Sequence, residues 1–523
     1  MSLARILSRA QLGLEAPLVQ VELHVGRGLP AFAIVGLPAP VVRESRERVR
    51  AALLNSGYEF PNGRITVNLA PVELSKQGGR FDLPIALGLL VASGQLPAPR
   101  RAFECYGELG LAGELKPVSG LFLAALHAGR DDHALIVPAA NGSEVALSGH
   151  GAAYGAMSLR EAAARLAQRA ANEPPRGRAD NAGLIDDRLA DGGPAHGSGR
   201  VASTPPTALL SDVAGQWQAK RALIIAAAGG HSLLMVGPPG SGKSMLAARL
   251  PGLLPPLSRA EALEVAGIAS VAGLPLDAWH WTRRPFRAPH HTASAHAIVG
   301  GGPRIQPGEI SLAHQGVLFL DELPEFDRRV LESLREPLET CRITIARAGS
   351  RLELPAQFQL VAAMNPCACG YLGDSTQACR CTPAGIERYR RRISGPLLDR
   401  VDMRIEVPRV PVEELVHAAV AGGAGVAVPD PALQVQAARE RRLCSSGELS
   451  ARLSAAQLQQ CCALPPLSER LLRRSCQRLG LSGRGVHRLL ALSRTIADLA
   501  ESECIEPPHL AEAIQLRRPL PGS

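Results

Sequence analysis

Hydrophobic positions change their period along the chain. Val19-Gln-Val-Glu-Leu-His-Val25 and Ile65-Thr-Val-Asn-Leu69 alternate apolar and polar residues, which predicts strands with one buried face. Residues 43–55 and 83–92 carry apolar residues at helical spacing, and Ala134-Leu-Ile-Val137 adds a short apolar strand. Residues 1–167 therefore predict one α/β or α+β domain. The pattern stops at 168–207, where Gly, Pro, Asp and Arg dominate. Such a stretch cannot bury enough apolar surface to offset its chain entropy, so a flexible linker is expected. Beyond it, uninterrupted apolar runs replace the alternation: Leu233-Leu-Met-Val236, Val317-Leu-Phe-Leu320 and Leu360-Val-Ala-Ala-Met364. Runs of this kind suit parallel strands buried on both faces. Residues 208–408 thus predict an α/β core, 409–430 a Pro/Gly/Ala connection, and 431–523 a helical region. In that last region Leu467, Leu471, Leu472, Cys476 and Leu479 share one helical face. Val486, Leu489, Leu490 and Ile496 share another, with 480–485 as the turn between them.

The ends of two apolar runs carry chemistry. Residues 237–244 read GPPGSGKS and fit the phosphate-loop pattern G-x-x-x-x-G-K-[ST]. Gly237, Pro238, Pro239, Gly240, Ser241 and Gly242 would wrap backbone N–H groups around a phosphate chain, because glycine permits close approach. Lys243 would meet the β- and γ-phosphates, and Ser244 would hold Mg²⁺ through its hydroxyl. The following residues continue as a helix, whose N-terminus favours negative charge. Asp321 and Glu322 emerge from the end of the second run. There Asp321 would help hold Mg²⁺ and Glu322 would polarise the attacking water. Together the two sites predict binding of a nucleoside triphosphate.

Bulk properties add bounds. A length of 523 residues suggests about three domains. No apolar run approaches the ~20 residues needed to span a bilayer, and the first residues do not read as a signal peptide, so a cytoplasmic location is expected. The net charge of +9 is compatible with nucleic acid. Only four of the 57 basic residues are lysine, at positions 76, 116, 220 and 243, and one of them falls where the phosphate loop requires an amine. Eleven cysteines in a chain of this kind read as thiols rather than a disulfide framework. Four cluster as C-x-C, nine residues, C-x-C: Cys367, Cys369, Cys379 and Cys381. Two such knuckles suit a closed tetrahedral Zn²⁺ site of structural rather than catalytic type. The adjacent His290 and His291 diverge and read as loop-positioning or DNA-facing residues.

Longer strings carry a resemblance. Arg284-Pro-Phe-Arg-Ala-Pro-His-His-Thr292, Pro307-Gly-Glu-Ile-Ser-Leu-Ala-His314, Gly316-Val-Leu-Phe-Leu-Asp-Glu-Leu323 and Ile393-Ser-Gly-Pro-Leu-Leu-Asp-Arg400 resemble the magnesium-chelatase-like AAA+ ATPases, specifically the YifB/ComM branch. The resemblance implies an α/β AAA+ P-loop ATPase core, an N-terminal ribosomal-protein-S5/Lon-like α+β domain and a C-terminal helical lid. It implies that Asn365 is sensor 1, that Arg400 is an arginine finger reaching a neighbouring subunit, and that Arg484, or else Arg488, is sensor 2. It further implies ATP and Mg²⁺ as ligands, a homo-oligomer of hexameric form, and single-stranded, double-stranded and branched DNA as partner. The family's activity is branch migration supporting integration of incoming DNA. Residues 342–347 and 351–354 look like the arms of a pore-facing hairpin, with Arg347 and Arg351 near its tip, able to follow phosphates without reading sequence.

Rival readings are a magnesium-chelatase subunit, a Lon-like peptidase and a non-enzymatic scaffold. The peptidase reading needs a serine activated by a nearby amine. Here Phe81-Asp82 stands where the serine is expected, and no lysine follows Pro117-Val-Ser-Gly-Leu121, so no peptidase activity is expected.

Overall fold

The computed structural model describes residues 2–74, 76, 78–99, 101–171, 209–276, 281–302, 306–347, 350–374, 376–411, 413–414 and 430–517. Nearly all of the expected linker and most of the 409–430 connection lie outside the described residues. Two compact units emerge, Met1–Arg200 with Ala262–Trp281, and Val201–Glu261 with Thr282–Ser523. The sequence expectation of one continuous core over 208–408 misses the excursion at 262–281. Its cause is apolar packing: Ala266 is buried in a small cluster with Ala16, Phe122 and Leu123.

The first unit is built on strands β1 (Ser2–Arg9), β2 (Leu18–Gly26), β3 (Ala31–Val35), β4 (Arg64–Ala70), β5 (Phe103–Cys105), β6 (Ala134–Pro138) and β7 (Ala153–Ala156). They form one mixed sheet in the order β3-β4-β2-β1-β5-β6-β7. Val19, Val21 and Leu23 of β2 are fully buried while the residues between them are not, as the alternation predicts. Helices α1 (Ser45–Asn55), α2 (Asp82–Ala92), α3 (Leu121–Arg130) and α4 (Leu159–Ala171) complete the unit. The last overruns the expected boundary at 167. Helix α2 is apolar almost all round, and ten of its residues are buried. Asp82 begins α2 and is committed to structure: Ser45 donates to its carboxylate, and Arg48 Nε donates at 2.6 Å. Lys76 is buried and donates to the Pro71 carbonyl.

The second unit holds α5 (Trp217–Gly229), β8 (Leu233–Val236), α6 (Lys243–Ala247), β9 (Phe286–Arg287), β10 (Val317–Leu320), α7 (Pro337–Thr340), β11 (Arg342–Arg347), β12 (Ser350–Pro355), β13 (Gln359–Met364) and β14 (Met403–Glu406). Five of the strands form a wholly parallel sheet in the order β9-β10-β13-β8-β14. Every residue of β8, β10 and β13 is buried, which is why these strands lack alternation. Helices α8 (Pro431–Ser446), α9 (Pro466–Leu479), α10 (Gly483–Leu499) and α11 (Pro507–Leu516) follow. Leu489, Leu492, Ile496 and Leu510 join the core of the parallel sheet.

A buried polar network ties α10 to the start of β14. Asp402 accepts from the Ser232 amide at 2.9 Å and from Ser232 Oγ at 3.0 Å. The Arg488 guanidinium pairs with the same carboxylate, and His231 shares a 2.7 Å hydrogen bond with Thr495. Burial alone would raise the Asp402 carboxyl; His231, whose Nδ1 lies 3.7 Å away, the charge of Arg488 and the Ser232 amide outweigh it and hold it far below the usual carboxylate range. A folded-state value below the unfolded one gives stability that is present above pH ~4 and drains away as pH falls through the depressed range. Asp402→Ala is expected to destabilise this unit by about 3–5 kcal/mol, because Arg488 is left without its counter-charge. Urea unfolding at pH 7 checks this. Asp402→Asn should flatten the acid limb of the stability profile.

Candidate nucleotide site

Strand β8 ends at Val236 and delivers the 237–244 loop. Gly242, with φ of 87°, makes the left-handed step that turns the loop into α6, a step costly for a residue with a Cβ. Lys243 Nζ is folded into the loop's own carbonyls, donating to Gly237 O at 2.8 Å and Pro238 O at 2.9 Å. It also donates to Asn365 Oδ1 at 3.3 Å. Burial lowers the ammonium's pKa, while Asp321 and Glu322 oppose that shift.

Parallel pairing brings the other ends to the same edge. β13 lies between β8 and β10, so Asn365 after β13, Ser244 after β8 and Asp321 after β10 converge. Ser244 Oγ donates to the Asp321 carboxylate, and Asp321 Oδ1 accepts the Glu322 amide at 2.9 Å. A hydroxyl and a carboxylate in direct contact are the hard oxygen donors that Mg²⁺ takes alongside substrate phosphates, so the residues fit the ion. Glu322 has φ of 53° and its Oε2 lies 3.1 Å from His291 Nδ1. The His291 ring rests on His290, with centroids 4.1 Å apart. The two rings lie together instead of diverging as expected from the sequence, and sequence reasoning missed the contact with Glu322. A cavity of about 250 Å³ opens beside the loop, lined by Gln216, Trp217, Arg409, Val410 and Glu414.

Arg400 and Arg484 are not in this cluster. Arg400 precedes β14, and β14 runs parallel beside β8 with Leu233 opposite Met403 and Val236 opposite Glu406. The phosphate loop follows the far end of β8. The loop and the Arg400 backbone therefore sit at opposite edges of the sheet, at least about 13 Å apart at ~3.3 Å per residue. Arg400 Nη2 and Arg484 Nη2 both bind Glu339 Oε1, at 2.7 and 2.8 Å. Arg488, the alternative to Arg484, is engaged by Asp402 and by the Arg400 carbonyl at 2.8 Å.

The four clustered cysteines converge. Their sulfurs all lie within 4.8 Å of one another, and three pairs stand at 3.4, 3.6 and 3.7 Å. A tetrahedron with Zn–S near 2.3 Å has sulfurs about 3.8 Å apart, so the donor set fits zinc. Backbone amides of Tyr371 and Arg380 pull the Cys369 thiol down to about 6, whereas burial and the neighbouring sulfurs push Cys379 up to about 12 and raise Cys381, so the cluster gives up its first proton most easily at Cys369. This loop leans on the phosphate loop: a Cβ at Gly370 would come 2.7 Å from Pro239 Cδ. Strands β11 and β12 pair antiparallel, with Arg347 opposite Ser350 and Ala346 opposite Arg351. The backbone thus places both arginines at the tip, whose residues 348–349 lie outside the described residues.

Comparison with known proteins follows the same segments. The family profile described as magnesium chelatase, subunit ChlI, matches residues 209–415. A second profile, subunit ChlI of Mg-chelatase, matches 21–141, and the ChlI C-terminal profile matches 430–517. Protein YifB of Salmonella typhimurium is 46% identical over 99% of this chain and 97% of its own. Competence protein ComM of Haemophilus influenzae is 45% identical over 99% of this chain and 98% of its own. The chain belongs to the YifB/ComM magnesium-chelatase-like family. The parallel sheet is accordingly a magnesium-chelatase-like AAA+ domain. The 38 kDa magnesium-chelatase subunit of Rhodobacter capsulatus is more distant, 27% identical over 32% of this chain and 52% of its own. Full-length likeness therefore includes YifB and ComM, whereas the match to that subunit covers only a segment of the chain.

Proposed function

We propose that the protein is an ATP-driven DNA motor, a cytoplasmic hexameric ring that promotes branch migration and strand integration during recombination. The observation that carries the nucleotide part is the Ser244–Asp321 hydrogen bond, which joins two strand ends beside Lys243, itself bonded to Asn365 at the third. On this reading the triphosphate replaces the carbonyls that now hold Lys243. Mg²⁺, when bound by Ser244 and Asp321, neutralises charge on the phosphate oxygens. Glu322 leaves His291 to polarise the lytic water, and Asn365 orients it. Arg400, with Arg484, meets the terminal phosphate held by a neighbouring protomer. Sheet polarity supports this assignment, since Arg400 begins at the wrong edge for its own loop. The Haemophilus relative is named a competence protein, and the DNA reading rests on that likeness together with the arginines at the hairpin tip. The first unit is proposed as a Lon-like domain without peptidase chemistry, and 431–523 as the lid.

The test is ATP turnover by the full chain with and without fork-shaped DNA. Stimulation by the fork, together with DNA binding that weakens steeply with salt, is expected. Unchanged turnover and no strand exchange would end the motor reading while leaving the nucleotide site standing. Turnover stimulated by a porphyrin in the presence of a partner subunit would favour the chelatase alternative.

The cysteine knuckles are proposed as a structural zinc site. Mass spectrometry of metals is expected to find about one zinc per chain. Cys369→Ser with Cys381→Ser should release it and lower ATP affinity, since this loop supports Pro239 of the phosphate loop.

A further inference from the structure

Glu339 occupies an unusual position. Its Oε1 alone accepts from two guanidiniums, Arg400 Nη2 at 2.7 Å and Arg484 Nη2 at 2.8 Å. The three residues come from separate places: Glu339 from α7, Arg400 from the turn before β14, and Arg484 from the first turn of α10. Their exposures differ in a telling way. The Arg400 side chain is 7% exposed, Glu339 39% and Arg484 49%. Arg400 Nη1 donates to Pro396 O at 2.7 Å, and its Nε is buried with no hydrogen-bond partner among the described residues.

A buried guanidinium needs a counter-charge, because water cannot reach it to replace one. Glu339 supplies that charge in the lone protomer. The carboxylate itself is open to solvent and loses little on release. Two guanidinium N–H groups converging on one oxygen is also the arrangement that a terminal phosphate oxygen accepts. A triphosphate carries more charge than a carboxylate, so it can take over the pair.

We propose that Glu339 is a place-holder anion: it gathers Arg400 and Arg484 in the resting protomer and is displaced from both by the terminal phosphate of a nucleotide on the adjoining protomer. The proposal rests on the assignment of these arginines to a neighbour's nucleotide. It makes Glu339 a positioning residue that competes with substrate, and so sets how much nucleotide and how much protein are needed before hydrolysis begins.

The experiment compares the full chain with its Glu339→Gln, Glu339→Asp and Arg400→Ala variants, measuring turnover against ATP concentration and against protein concentration. Glu339→Gln removes the competitor. Its KM for ATP and its half-maximal protein concentration should both fall, by about three- to tenfold, without a lower kcat. Glu339→Asp should restore wild-type values. An active, Arg400-dependent wild type whose Glu339→Gln variant loses kcat at unchanged KM would overturn the place-holder, because Glu339 would then be aligning the arginines for catalysis. Unchanged parameters would overturn it as well. A wild type without turnover at any concentration would instead bring down the nucleotide reading itself, and the place-holder with it.

Discussion

Arg400→Ala is expected to lower ATP turnover by about 10³–10⁵-fold while leaving nucleotide binding by the unassembled protomer near wild type. The two properties separate because the groups are apart. Lys243, Ser244 and Asp321 gather at one edge of the parallel sheet, and Arg400 starts from the other. Charge developing on the departing phosphoryl group is what a guanidinium in trans stabilises most strongly, so its removal acts chiefly on the transition state and only secondarily on binding within the assembly. The decisive measurement is a mixture. Lys243→Ala protomers cannot hold nucleotide but keep Arg400, whereas Arg400→Ala protomers keep the pocket and lack the arginine. Neither variant should turn over ATP alone, and mixing them should recover a measurable fraction. No recovery, in mixtures shown to co-assemble, would mean that Arg400 does not serve a neighbour.

Glu322→Gln is expected to cost about 10²–10⁴-fold in kcat with little change in ATP affinity. The amide keeps the size of the side chain and can still meet His291, but it cannot polarise water as a carboxylate does. Stopped turnover with retained nucleotide should also hold the assembled state, which size-exclusion chromatography with ATP would detect. A variant that hydrolyses ATP at the wild-type rate would remove Glu322 from the chemistry. The contact with His291 adds a check, since His291→Ala frees Glu322 and should leave kcat far above that of Glu322→Gln.

The parts of this molecule legible in the sequence are those that depend on near neighbours. Strands β8, β10 and β13 announce themselves because burial on both faces demands unbroken apolar runs. The phosphate loop is a local backbone device, so its pattern is local too. The C-x-C pairs were legible because each knuckle is three residues long, and the fold closes the nine-residue gap between them. What stayed hidden depends on distant partners. The Arg488–Asp402 pair spans 86 positions, and no periodicity marks either residue. The engagement of Glu322 by His291, and of Arg400 and Arg484 by Glu339, is likewise set by tertiary placement. The sequence could suggest what each charge does in the presence of nucleotide. It held no sign of where that charge rests beforehand. The assignment of 262–281 to the first unit was hidden for a related reason, since its apolar pattern does not say which core receives it.

The direction of the parallel strands has a consequence for stoichiometry. If each protomer presents its pocket on one side and its arginines on the other, every contact between copies is head to tail. A row of n protomers then has only n − 1 complete sites, with an idle pocket at one terminus and idle arginines at the other. Joining the two termini is the sole arrangement in which none is wasted, so circular closure is worth one extra working site whatever the number of members.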